Sequence, residues 1–132
     1  MKTVITYGTF DLFHIGHLRM LERAKALTEG GTLIVAISTD EFNQAEKHKH
    51  AIIPYADRAE IIRALRCVDK VIPETSWEQK VSDIQKYAVD IFVIGEDWQG
   101  KFDFLKPYCD VYYLARTPEI STTDIKITIA KD

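Results

Sequence analysis

A single α/β domain, with a five-stranded parallel sheet covered by helices on both faces, is the fold this sequence predicts, and three observations predict it. Five short apolar runs rich in β-branched and aromatic residues recur along the chain. Segments with helical spacing separate them. The length of 132 residues and the 46% hydrophobic content suit one closed core. Short continuous apolar runs fit strands buried on both faces. Their alternation with helices implies βαβ crossovers in one parallel sheet, the Rossmann-like arrangement. Residues 1–132 are therefore expected to form one domain.

The elements follow in order. "TVITYG" (3–8) is the first strand, and "HLRMLERAKAL" places Leu18, Leu21, Ala24 and Leu27 along one side of a helix, with most of its charges on the rest. "TEGG" (28–31) stops that helix and turns the chain. "TLIVAIS" (32–38) is the second strand. Residues 43–58, a basic cluster followed by an apolar step to Pro54, show no clear period and are expected to form a long loop, a class of segment that is commonly functional. Further helices are expected in "YADRAEIIRALRCV" and "SWEQKVSDIQKYA", and further strands in "DKVIPE" (69–74), "DIFVIG" (90–95) and "DVYYLA" (110–115). At the end, Ile125, Ile127 and Ile129 alternate as in a strand, but "STTD" (121–124) has the signature of a capped helix start, so a helix is expected from about residue 122.

The bulk numbers exclude several classes. A net charge of −3 argues against coating nucleic acid, so any phosphate binding must be local. The first residues lack a secretory h-region, and no apolar run approaches the roughly 18 residues needed to cross a bilayer, so a cytoplasmic protein without membrane insertion is expected. Cys67 and Cys109 lack CxxC spacing and read as small core hydrophobes. The chain carries no internal repeat and no low-complexity segment.

Ligands of open parallel sheets bind beyond the carboxyl ends of the strands. Strands one, four and five end in "GTFD", "GEDW" and "ART", which aim polar groups at one rim. "HIGH" follows on the first turns of a helix, where residues three apart share a face. His14 and His17 then flank Gly16, whose missing side chain leaves room for a bulky anion, and each imidazole offers an N–H donor and, if protonated, a charge. The pair alone is more often capping or surface decoration than a functional site. Zinc wants three or four convergent ligands, and His48 and His50 lie in the basic loop.

"GTFDLFHIGH" together with "RTPEISTTDIK" resembles the small cytidylyltransferases, above all the branch that acts on glycerol 3-phosphate. "VAISTDEFN", "VDKVIPE", "WEQK" and "DWQGKFDFLK" extend the resemblance nearly end to end. It implies the nucleotidyltransferase fold, a homodimer, and attack of an alcohol phosphate oxygen on the α-phosphorus of CTP, with Mg²⁺ brought by the nucleotide and no side-chain metal site. It also implies supply of CDP-glycerol to a cell-wall or capsule polymer of the teichoic acid kind. Position by position, Thr9, Phe10, His14, Gly16, His17, Lys47 and Asp97 match CTP contacts. So do Arg116, Thr117, Ile120, Ser121, Thr122 and Thr123. His14, His17, Lys47 and Arg116 match catalytic positions, and Asp11, Lys49, Arg66 and Lys80 match the acceptor side. Without the resemblance, Lys47 would read as part of a solvated charge run and Lys80 as an ordinary surface helix residue. Arg58 and Asp69 match family positions without a defined role.

One departure stands out. Where the family has glycine before Ile-Ser-Thr-Thr, this chain has Glu119, which neither favours positive φ nor permits close approach of a phosphate. Two alternatives therefore accompany the main reading: the same fold acting on another small alcohol phosphate, such as glycerol 2-phosphate, or another nucleotide; and a nucleotide-binding module without turnover.

Overall fold

The computed structural model of the chain describes residues 1–115. Five strands, β1 (Thr3–Gly8), β2 (Thr32–Ser38), β3 (Lys70–Glu74), β4 (Ile91–Gly95) and β5 (Asp110–Leu114), form one sheet in the order β3-β2-β1-β4-β5. Every pairing is parallel, with Ile5 of β1 opposite Ile34 of β2 and Phe92 of β4. All five expected strands are present.

Side chains alternate across the sheet as a two-residue period requires. Leu33, Val35 and Ile37 of β2, with Ile91 and Val93 of β4, pack on one face against Leu21 and Ala24 of helix α1 (Ile15–Ala26) and Ala59 and Ile62 of α3 (Tyr55–Arg63). Ile34, Ala36, Phe92 and Ile94 pack on the other face with Ile84 of α4 (Gln79–Lys86), Phe102 and Leu105. The first two crossovers thus lie on one side and the last two on the other. The switch falls between β1 and β4, where an open parallel sheet leaves a crevice at its carboxyl end. Cys67 and Cys109 are free thiols at the edges of the two clusters. Among the described residues, no helix is long and apolar enough to cross a membrane.

The expected loop over 43–58 is shorter than the sequence suggested. Helix α2 (Asp40–Glu46) takes its beginning and α3 its end, leaving 47–54 between them. Thr39 supplies the reason: its hydroxyl accepts from the Phe42 amide at 3.1 Å, acidic residues fill the first turn, and Phe42 and Asn43 are buried. The third helix ends earlier than its apolar pattern, at Arg63. The expected C-terminal helix lies outside the described residues.

One buried side chain ties the carboxyl rim together. Arg58, 1% exposed, donates to the carbonyls of Ile53, Thr9 and Ser38 and to the Asp40 carboxylate, each at 2.8 Å. The Tyr55 amide, followed by Arg58, holds the Asp40 carboxyl below its usual range. Arg58→Ala leaves three carbonyls without their donor and is expected to lower the unfolding free energy by about 3 kcal/mol or more. Arg58→Lys recovers little, because an ammonium lacks the guanidinium fork. Urea denaturation of the two variants measures both.

Candidate active site

A cleft of about 330 Å³ opens at the carboxyl ends of β1, β3 and β4. Its floor is the turn between β1 and α1, where Phe10 and Leu12 hold φ values of 55° and 49°, in the left-handed region that side chains disfavour. Strain of this kind persists only where surrounding contacts enforce it. A Cβ on Gly8 would stand 2.8 Å from the Phe10 ring, so any larger residue there would force the buried ring to shift.

His14 is the N-cap of α1. Its Nδ1 accepts from the Gly16 amide at 3.0 Å, and its own amide donates to Nδ1 of His17 at 3.2 Å, a reciprocal capping box made from two histidines. The capping and ligand-donor readings of the pair are therefore compatible. With both Nδ1 atoms accepting, each neutral ring carries its proton on Nε2. The rings stack at 3.8 Å, and Phe10 and Phe13 each lie 5.5 Å from His17. Burial, reinforced by His14, brings His17 down to about 4, and burial lowers His14 as well. The charged form considered from sequence is thus disfavoured, and the neutral imidazoles each keep an Nε2–H group.

The cations come from elsewhere. Lys47, Lys49 and Lys80 line the cleft with His17 and His50. Lys47 is no solvated charge: its side chain is 13% exposed, and its Nζ lies 5.4 Å and 5.6 Å from the rings of Phe42 and Trp77. Nor is Lys80 a surface residue. It is buried, with Nζ 4.6 Å from the Tyr7 ring, 5.1 Å from Trp77 and 5.4 Å from Phe102. Tyr7 is fixed in turn by donating its hydroxyl to Asp83 at 2.7 Å.

Asp11, matched to the acceptor side by resemblance, lines the cleft with its carboxylate on the loop. One oxygen accepts from the Ile52 amide at 2.8 Å; the other accepts from Ile53 at 3.0 Å and Leu12 at 3.1 Å. It fastens residues 52 and 53 to the end of β1. Thr9 and Phe10 line the cleft as well; Asp97 lies in the 3-10 turn Glu96–Trp98 and is not among the lining residues, though its neighbour Trp98 is. Arg66 is not brought to it. That residue is exposed in the turn before β3, next to Asp69, whose amide bonds the Leu33 carbonyl at the amino end of β2. The acceptor contact inferred for Arg66 thus falls at the opposite end of the sheet. Arg116, Thr117, Ile120, Ser121, Thr122 and Thr123, together with Glu119, lie outside the described residues.

Sequence reasoning missed Glu74, Trp77, Trp98 and Phe102, all of which line the cleft. A signal existed for the first two, since "PETSW" closes strand three at the same rim as "GTFD". Among the described residues, no three histidines, cysteines or carboxylates converge as a metal-binding group.

A helix start bearing two histidines and lysines at the switch point of a parallel sheet accord with a nucleotidyltransferase, the class that the relatives of this chain establish. The chain belongs to the cytidylyltransferase-like family, whose model matches residues 5–127, and within it to the glycerol-3-phosphate cytidylyltransferases. It is 60% identical to the glycerol-3-phosphate cytidylyltransferase of Bacillus spizizenii over 98% of both chains. Identity to that of Staphylococcus aureus is 56%, over 96% of this chain and 93% of the other. A lipopolysaccharide core biosynthesis protein from Thermoplasma volcanium shares the fold, with a TM-score of 0.71 at 23% identity over 88% of this chain and 98% of that one. The resemblance read from "GTFDLFHIGH" thus holds at the level of family.

The depressed His17 has a measurable consequence. The folded chain resists a proton that the unfolded chain accepts near the usual 6.5, so stability is full above that pH and falls as the pH drops from 6.5 toward about 4. His17→Gln keeps a capping-box residue at the same position and is expected to flatten that decline. Thermal melts of both proteins across this window measure it.

Proposed function

We propose that this chain transfers the cytidylyl group of CTP to glycerol 3-phosphate, releasing pyrophosphate and forming CDP-glycerol by direct in-line attack on the α-phosphorus. The observation that carries this reading is the convergence of His17, Lys47, Lys49 and Lys80 on one cleft, in a chain 60% identical to a glycerol-3-phosphate cytidylyltransferase. The chemistry needs no covalent enzyme intermediate. Two anions that repel each other must be held in line while charge on the α-phosphate is neutralised.

The residues divide that work. His14 and His17 donate from Nε2 to phosphoryl oxygens of CTP as neutral, preoriented groups. Lys47, at the end of α2, reaches the triphosphate across the cleft. Lys80, from α4, takes the acceptor phosphate, with Lys49 beside it. Arg116, Thr117, Ser121, Thr122 and Thr123 add donors from the carboxyl-terminal segment, and Asp97 binds a ribose hydroxyl. Mg²⁺ enters with the phosphates of CTP, as part of the substrate. The product would feed a glycerol phosphate polymer of the cell wall or capsule, made in the cytoplasm by a homodimer.

Incubation with CTP, Mg²⁺ and glycerol 3-phosphate is expected to release pyrophosphate and CDP-glycerol in equal amounts. Removal of the donor in His17→Ala should lower kcat by about 10²-fold to 10³-fold, the range for a lost transition-state donor. Lys80→Ala should act chiefly on KM for glycerol 3-phosphate. Binding of CTP with no pyrophosphate formed would replace this reading with a module lacking turnover.

A further inference from the structure

Glu74 is the carboxylate that ion-pairs with two of the cleft lysines, Lys47 and Lys80, and none of the assignments above uses it. The last residue of β3, it is 1% exposed. One oxygen accepts from Lys80 Nζ at 2.8 Å. The other, Oε1, lies 3.5 Å from Lys47 Nζ, within Coulombic reach but without hydrogen-bond geometry, and has no hydrogen-bond partner among the described residues. A buried carboxylate costs several kcal/mol by order of magnitude unless its surroundings compensate it. Position 74 lies opposite Ser38 at the end of the β2–β3 ladder, which itself requires no charge.

The two lysines explain the need. Both ammoniums face aromatic rings that attract a cation, but burial and the neighbouring lysines work against the charge that Lys47 needs to meet a phosphate. Burial lowers Lys47; Glu74 supplies the largest opposing pull, while Lys49 from the loop and Lys80 from α4 push it further down. Among the described residues, Tyr7, Asp11, His17 and His50 are the other titratable groups that line the same space. The pairing is also unequal. Lys80 is hydrogen-bonded to Glu74 and held; Lys47 is attracted without a hydrogen bond and can turn toward an anion without breaking one.

We propose that Glu74 is a positioning residue: its buried carboxylate, anchored by Lys80, keeps the Lys47 ammonium charged and aimed across the cleft without touching either substrate. This rests on the reading of the cleft as the nucleotide phosphate site.

The isosteric Glu74→Gln and the charge-keeping Glu74→Asp test it. In Glu74→Gln, kcat/KM for CTP should fall at least about tenfold near pH 9 and return toward the natural value near pH 7, the cost growing as Lys47 loses its proton. The Lys47 ¹³Cε resonance should titrate at lower pH than in the natural chain. Glu74→Asp should lie between the two in both measurements, and carries the test if Glu74→Gln does not fold. A loss of the same size at every pH, or a Lys47 titration that does not move, overturns the proposal. If the natural chain makes no CDP-glycerol, the substrate reading fails instead, and the Lys47 resonance still decides the role of Glu74.

Discussion

The site depends on a double fastening of the loop 47–54 to the end of β1. Asp11 accepts the amides of Ile52 and Ile53, while Arg58 donates to the Ile53 carbonyl and, from the same guanidinium, to Thr9 and Ser38. A loop of this length loses conformational freedom when its ends are pinned. Charge-assisted bonds to buried groups supply a compensation that surface contacts would not. Through this fastening Lys47, Lys49 and His50 stay at the cleft that His17 also lines.

The second constraint is electrostatic. A chain with a net charge of −3 must build its polyanion site locally. It does so by separating the roles of donor and charge. The histidines are stacked, desolvated and tied through Nδ1 to the start of α1, so they orient N–H groups without carrying charge. The lysines carry the charge, and aromatic rings together with Glu74 keep two of them in the fold at all. Preoriented donors of this kind need little reorganisation as negative charge develops.

Much of this was legible beforehand. Each strand announced itself as a short β-branched run, and the alternation with helices implied the parallel order class. The rule that ligands gather at carboxyl ends of strands pointed to Thr9, Phe10, Asp11 and His17. The loop boundary was misjudged because Thr39-Asp40-Glu41, a helix start with a hydroxyl cap and an acidic first turn, was overlooked beside the charge run that follows it. Lys80 looked like a surface residue because α4 is short and polar along most of its length. Its burial comes from Trp77, just ahead of α4, and from Tyr7 and Phe102, which arrive from distant parts of the chain.

Local pattern was enough for the element types, the single sheet and the family-bearing motif, since periodicity, capping and turn chemistry act over a few neighbouring residues. Packing was needed for the rest: that Asp11 holds a loop, that Arg66 sits at the far end, that Arg58 and Glu74 are buried, and that His17 is uncharged. These properties arise between segments tens of residues apart. Desolvation and ion pairing are set by whatever surrounds a group in space, and one-dimensional order does not encode that distance directly.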